Sequence, residues 1–132
     1  MSKAVLEHLN VTVSDPARTA QLMSDLFDWK IRWQGESKMG GHTVHVGEDD
    51  TYLALYTVGA PKAPDASYHM KGGLNHIGVV VDDLDAVEAK VKDAGYKPHN
   101  HGDYEPGRRF YFHDHDGIEF EIVSYAEKGA GQ

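Results

Sequence analysis

The sequence repeats itself. LEHLNVTVSDPARTA (6–20) aligns with LNHIGVVVDDLDAVE (74–88) at an offset of 68, matching Leu6 with Leu74, His8 with His76, Val11 with Val79, Val13 with Val81 and Asp15 with Asp83. Further on, GHTVHVGEDDTYLALYT (41–57) aligns with RRFYFHDHDGIEFEIVS (108–124) at an offset of 67, the slip being absorbed in the intervening loop. A duplication of this kind demands two similar supersecondary units, each with a face to bury. A chain of 132 residues can hold both as one small domain.

Each half reads as βαβββ. A strand of alternating and apolar residues comes first, at 6–13 and 74–81. A helix follows. Asp15 caps the first, with Pro16 at its opening position and Ala20, Leu22, Met23, Leu26 and Phe27 on the apolar side. Asp83 caps the second, Leu84, Val87, Val91 and Ala94 form its stripe, and Gly95 ends it. Three short strands complete each module, at 29–34, 41–47 and 51–58, then at 96–101, 108–113 and 118–125. GEDD and DHDG read as the turns between the last two strands of each. The expected fold is α+β, with module one at about 4–58, a Pro/Gly/Ala-rich linker at 59–73 and module two at about 74–126. The curved mixed sheets of the two modules are expected to pair into a cleft or half-barrel.

Strand alternation then sorts the side chains. Leu9, Val11 and Val13 should face the first helix, as Ile77, Val79 and Val81 face the second. His8 and His76 therefore take the opposite face of their sheets. On the last strand Phe120 and Ile122 belong to the helix side, so Glu119, Glu121 and Val123 share the other face. A carboxylate on an apolar strand is costly to bury without a cation, and Glu121 is the deeper of the two. Two histidines and one carboxylate make a divalent-metal ligand set. The plain alternative is that the histidines are solvated and matched only by inheritance from the duplication. Ala54, in TYLALYT, occupies the place equivalent to Glu121 in the first half, so three protein ligands are expected.

These modules, the histidine on each first strand and FYFHDHDGIEFE near the end resemble the vicinal oxygen chelate superfamily, which holds glyoxalase I, extradiol dioxygenases, fosfomycin-resistance enzymes and bleomycin-binding proteins. The resemblance spans roughly 6–125. It implies that His8, His76 and Glu121 hold one Fe(II), Mn(II), Ni(II) or Zn(II) ion. A small substrate would bind through vicinal oxygens, in a chain that pairs as a homodimer. Ala54 departs from glyoxalase I, which has a glutamate there. The set of three is similar to those of extradiol dioxygenases and fosfomycin-modifying enzymes, and Tyr111 matches the tyrosine that precedes the ligand glutamate in both. His115 stands where the extradiol pattern has proline, and no arginine follows Glu121 as in fosfomycin transferases. The competing reading is a metal-free small-molecule or antibiotic-binding protein of the bleomycin-resistance type.

Parity supports Tyr111, since Phe110 and Phe112 should face the helix and Arg109, Tyr111 and His113 the other way. His42 matches Arg109 across the repeat, so it is expected on the same face, as a general base or as a strand-edge histidine in solvent. Arg109 would stabilise developing negative charge. His45 is expected on the helix side. HDHD (113–116) reads as a turn with His113 at its rim rather than as a separate site. His69, His99 and His101 are read as loop histidines in solvent.

Composition narrows the partners. A formal charge of −8 with Arg108-Arg109 as the tight basic pair argues against nucleic acid. No apolar run approaches the roughly 18 residues that cross a bilayer. With no cysteine, any metal must be held by nitrogen and oxygen. No secretion signal opens the sequence, so a cytoplasmic location is expected.

Overall fold

Asp15 starts the first helix as its sequence requires. Its carboxylate accepts the Arg18 amide at 3.3 Å, Pro16 follows, and α1 runs Pro16–Phe27 with Ala20, Leu22, Met23 and Leu26 buried. Asp28 closes it in the left-handed region, at φ 63°. Asp83 does the same for α2 (Leu84–Asp93), accepting the Ala86 amide at 3.0 Å; Gly95, at φ 95°, takes the chain out of the helix. The computed structural model describes residues 4–36, 41–59, 61–63, 67–104 and 107–125. Residues 60 and 64–66 of the expected linker, and 126 at the expected end of module two, lie outside these.

The chain divides into two units, 1–62 and 63–132. In the first, β1 (His8–Thr12), β2 (Lys30–Glu36), β3 (His42–Gly47) and β4 (Tyr52–Tyr56) form a sheet in the order β1-β4-β3-β2. β1 runs parallel to β4 and the other pairings are antiparallel. The second unit repeats this with β5 (Ile77–Val80), β6 (His99–Tyr104), β7 (Gly107–His113) and β8 (Glu119–Ser124), in the order β5-β8-β7-β6. Each unit is the α+β module that the repeat dictates.

Each sheet is covered by its own helix on one face. Val44, Val46, Leu53 and Leu55 are buried under α1. Phe110, Phe112, Phe120 and Ile122 are buried under α2, with Phe112 and Phe120 stacked at 5.2 Å. Side chains of this size contribute about 1.5–3 kcal/mol each by burial. The packing fixes the sheet's orientation, and with it which residues occupy the helix-free face. Among the described residues no helix is long and apolar enough to cross a membrane.

Candidate functional site

On β8, alternation leaves Glu121 on the helix-free face, paired at Cα with Gly78 on one side and Tyr111 on the other. Its carboxylate has two charged or chargeable neighbours. The Arg109 guanidinium donates from Nη1 to Oε2 at 2.7 Å, and His76 Nε2 lies 3.0 Å from Oε1. The side chains of Arg109 and Glu121 are only 12% and 14% exposed, so this ion pair is sheltered from water. The Tyr111 ring meets His76 edge-on at 5.8 Å. The structure thus brings together four sequence-selected residues, His76, Arg109, Tyr111 and Glu121.

His76 is also held from behind. Its Nδ1 lies 2.7 Å from Asn75 Oδ1, which leaves Nε2 as the nitrogen aimed at Glu121. In the first unit the arrangement recurs: His8 Nδ1 lies 2.9 Å from Glu7 Oε1, again the preceding residue. A partner on one ring nitrogen fixes the imidazole's orientation and presents the other nitrogen as a ligand. Adjacent donors about 2.1 Å from one octahedral ion are roughly 3.0 Å apart, so the Nε2/Oε1 pair fits a divalent cation by spacing and by donor type.

The first unit corrects the expectation for His42. It falls on the face of Val44 and Val46, at the strand's end, with Nε2 3.4 Å from Gln34 Oε1. His45, expected toward the helix, takes the helix-free face instead, opposite Ala54 in the register. Its ring stacks at 4.7 Å on Tyr52, which also stacks on His8 at 5.0 Å, while the Arg32 guanidinium lies 4.2 Å from the Tyr52 ring centre. Burial, then the charges of His8 and Arg32, lower the His45 pKa from its ordinary 6.5. The cause of the exchange is a turn. Residues 48–51 join β3 to β4, whereas 114–118, one residue more, join β7 to β8. Tyr111 pairs with Glu121 and His45 with Ala54, so β3 and β7 correspond at an offset of 66, not 67.

A second group stands on the helix-free face of the second unit. Glu119 is the Cα partner of His113, whose Nε2 lies 4.0 Å from Glu119 Oε2. His99 Nε2 is 3.1 Å from His113 Nδ1, and the two rings stack at 5.0 Å with 13° between their planes. Tyr68, in a short 3-10 helix (Ser67–His69), donates its hydroxyl to Glu119 Oε1. Loss of water around that hydroxyl, the hydrogen bond and the carboxylate charge push the Tyr68 pKa up to about 12. His99, His113 and Glu119 each offer a ligand atom within 4.8 Å of the others, the donor set and spacing of a metal triad. Neither His99 nor His101 is a loop histidine: both lie in β6, and His101 Nε2 is 2.7 Å from Glu88. The sequence signal of this departure is Asn100 between them, a residue type that tolerates the left-handed region.

The HDHD turn is a structural device. Asp114 is 6% exposed, and its Oδ1 accepts the amides of Asp116 at 2.9 Å and Ile118 at 3.0 Å. Burial raises its pKa above 3.8, against those two hydrogen bonds.

Residues 5–122 match a family model described as the Glyoxalase/Bleomycin resistance protein/Dioxygenase superfamily. No curated protein matches the chain. Among solved structures it is similar to a glyoxylase/bleomycin resistance protein/dioxygenase domain from Frankia sp. EAN1pec, at 22% identity and TM-score 0.77, covering 93% of this chain and 98% of that one. It is similar to TnmS3, an antibiotic binding protein from Streptomyces sp. CB03234, at 21% identity and TM-score 0.73, covering 96% and 99%. It is also similar to the fosfomycin resistance protein FosX from Listeria monocytogenes, complexed with Mn(II) and sulfate, at 16% identity and TM-score 0.71, covering 94% and 93%. Likeness at these identities establishes the shared fold.

Proposed function

The chain belongs to the Glyoxalase/Bleomycin resistance protein/Dioxygenase superfamily, and from that premise we propose that it is a metal-dependent enzyme acting on a small molecule with vicinal oxygens. His76 Nε2 and Glu121 Oε1 are two of its ligands. His8 enters as the third from the family resemblance and from its matching hold on Nδ1. The ion is Fe(II), Mn(II), Ni(II) or Zn(II); when bound, it polarises substrate oxygens and lowers the pKa of their protons.

The chain's own groups supply the rest. Arg109 holds Glu121 through Oε2, keeping Oε1 directed at His76, and its positive charge favours an anionic substrate oxygen nearby. Tyr111 contributes a hydroxyl donor to the substrate. His45, whose pKa burial lowers, replaces His42 as the imidazole suited to accept a proton. The observation that carries this reading is the 3.0 Å approach of His76 Nε2 to a sheltered carboxylate oxygen, with Nδ1 held by Asn75.

Calorimetric titration with Mn(II) tests it. Wild-type protein is expected to bind, and His76→Ala and Glu121→Ala each to weaken binding at least 100-fold; unchanged affinity in both refutes the assignment. A metal-free antibiotic-binding protein is the second reading. It is favoured by Trp33, 52% exposed beside His45 at 5.0 Å, and by the likeness to an antibiotic binding protein. Drug-induced quenching of Trp33 fluorescence, unaffected by chelator, would favour it. As a family member the protein is further proposed to work as a homodimer, a point for light scattering.

A further inference from the structure

We propose that His99, His113 and Glu119 form a second metal site, separate from His76 and Glu121, that takes a nitrogen-preferring divalent cation such as Zn(II) or Co(II). Three adjacent strands supply one donor each: β6 gives His99, β7 gives His113 and β8 gives Glu119.

The convergence requires a departure from regular strand geometry. In a straight strand His99 and His101 would share a face. Here β6 is bulged: His99 pairs with Tyr111 and Gly102 with Arg109, so three steps on β6 span two on β7. Asn100 absorbs the extra residue at φ 53°. The bulge sends His101 toward the Phe110 ring and Glu88 on α2, and turns His99 to the face of Tyr111 and His113.

The three donors converge, one ligand atom from each lying within 4.8 Å of the others. Tetrahedral ligands about 2.05 Å from zinc lie roughly 3.3 Å apart; His99 Nε2 and His113 Nδ1 are already 3.1 Å apart. Glu119 has a side chain only 11% exposed. Where Glu121 has a guanidinium, Glu119 has a phenol and an imidazole, and a sheltered carboxylate with such weak compensation is poised for a cation. Tyr68 is the positioning residue, since by engaging Oε1 it leaves Oε2 as the oxygen toward His113. Imidazole pairs with one carboxylate favour zinc-like ions over magnesium or calcium.

Co(II) titration followed by visible absorption tests this on the full chain, in wild type and in His76→Ala. His76→Ala is expected to keep one equivalent of Co(II), displaceable by Zn(II). His99→Ala and His113→Ala, each built on His76→Ala, are expected to lose it. Tyr68→Phe should weaken it about 10- to 100-fold without lowering the melting temperature of metal-free protein, which a merely structural role would lower. Should His99→Ala fail to fold, His99→Gln carries the same expectation. Absence of the equivalent from His76→Ala, or its persistence after loss of His99 and His113, overturns the proposal. Failure of the His76–Glu121 reading shows elsewhere, as unchanged Mn(II) affinity in both His76→Ala and Glu121→Ala.

Discussion

Arg109 and Glu121 offer the sharpest energetic prediction. An exposed ion pair contributes about 0–1 kcal/mol, whereas removing one partner of a buried pair costs about 3–5 kcal/mol. The side chains here are 12% and 14% exposed with a 2.7 Å contact, which puts the pair near the lower edge of the buried range. Unit charges about 4 Å apart at an effective dielectric of ~20 attract by about 4 kcal/mol, in the same region. Arg109→Met and Glu121→Met are each expected to cost about 3 kcal/mol, and Arg109→Met the less, because His76, 3.0 Å from Glu121, offsets part of the stranded charge. The double replacement should cost well under the sum, with a coupling of about 2 kcal/mol. Urea unfolding in chelator at fixed protein concentration reads this directly. With a slope of about 2 kcal/mol per molar, each single variant loses roughly 1.5 M in midpoint. Single costs under about 1 kcal/mol, or additivity within about 0.5 kcal/mol, would refute the claim that this pair is sheltered.

Other perturbations probe the neighbouring devices. Asp114→Ala strands the amides of Asp116 and Ile118 and should cost about 2 kcal/mol by thermal melting, while Asp114→Asn keeps the Oδ1 acceptor and costs less. Because the folded pKa of Asp114 is raised, its contribution is fully present below pH 3.8 and is lost as pH rises through the folded value. Wild type should therefore lose stability relative to Asp114→Asn on going up through that window, and a flat difference contradicts the burial argument. His45, with its pKa lowered, contributes stability present above pH 6.5 and lost as pH falls through its folded value; an NMR titration of its ring should give a midpoint below 6.5, and a midpoint at or above 6.5 defeats the assignment. Asn100→Ala should cost about 1 kcal/mol in chemical denaturation through the left-handed backbone, and Asn100→Gly almost nothing; equal costs would mean that the bulge is not held at this residue.

Much of this architecture is legible in the sequence because it rests on periodicities. The repeat at 6–20 and 74–88 gives two modules, Asp15 and Asp83 announce the helix starts, and period-2 alternation puts Glu121 opposite Phe120 and Ile122. His76, Glu121, Arg109 and Tyr111 follow from that alternation and stand together in the structure. What escaped are single-residue events. One extra residue in the 114–118 turn shifts the repeat's offset and exchanges His42 for His45. One left-handed residue, Asn100, reverses alternation in β6 and carries His99 to His113. Neither leaves a periodic trace, since a bulge depends on one φ angle and a register on how two strands meet. Because the side-chain period is two, a slip of one residue turns a whole strand over.

The proposed His76–Glu121 metal centre is tested most directly by anomalous diffraction from crystals of the full chain grown with Mn(II). A manganese peak is expected within about 2.0–2.3 Å of both His76 Nε2 and Glu121 Oε1, lost in Glu121→Ala. A well-ordered crystal with no peak there, or with Mn(II) only at His99, His113 and Glu119, would contradict it.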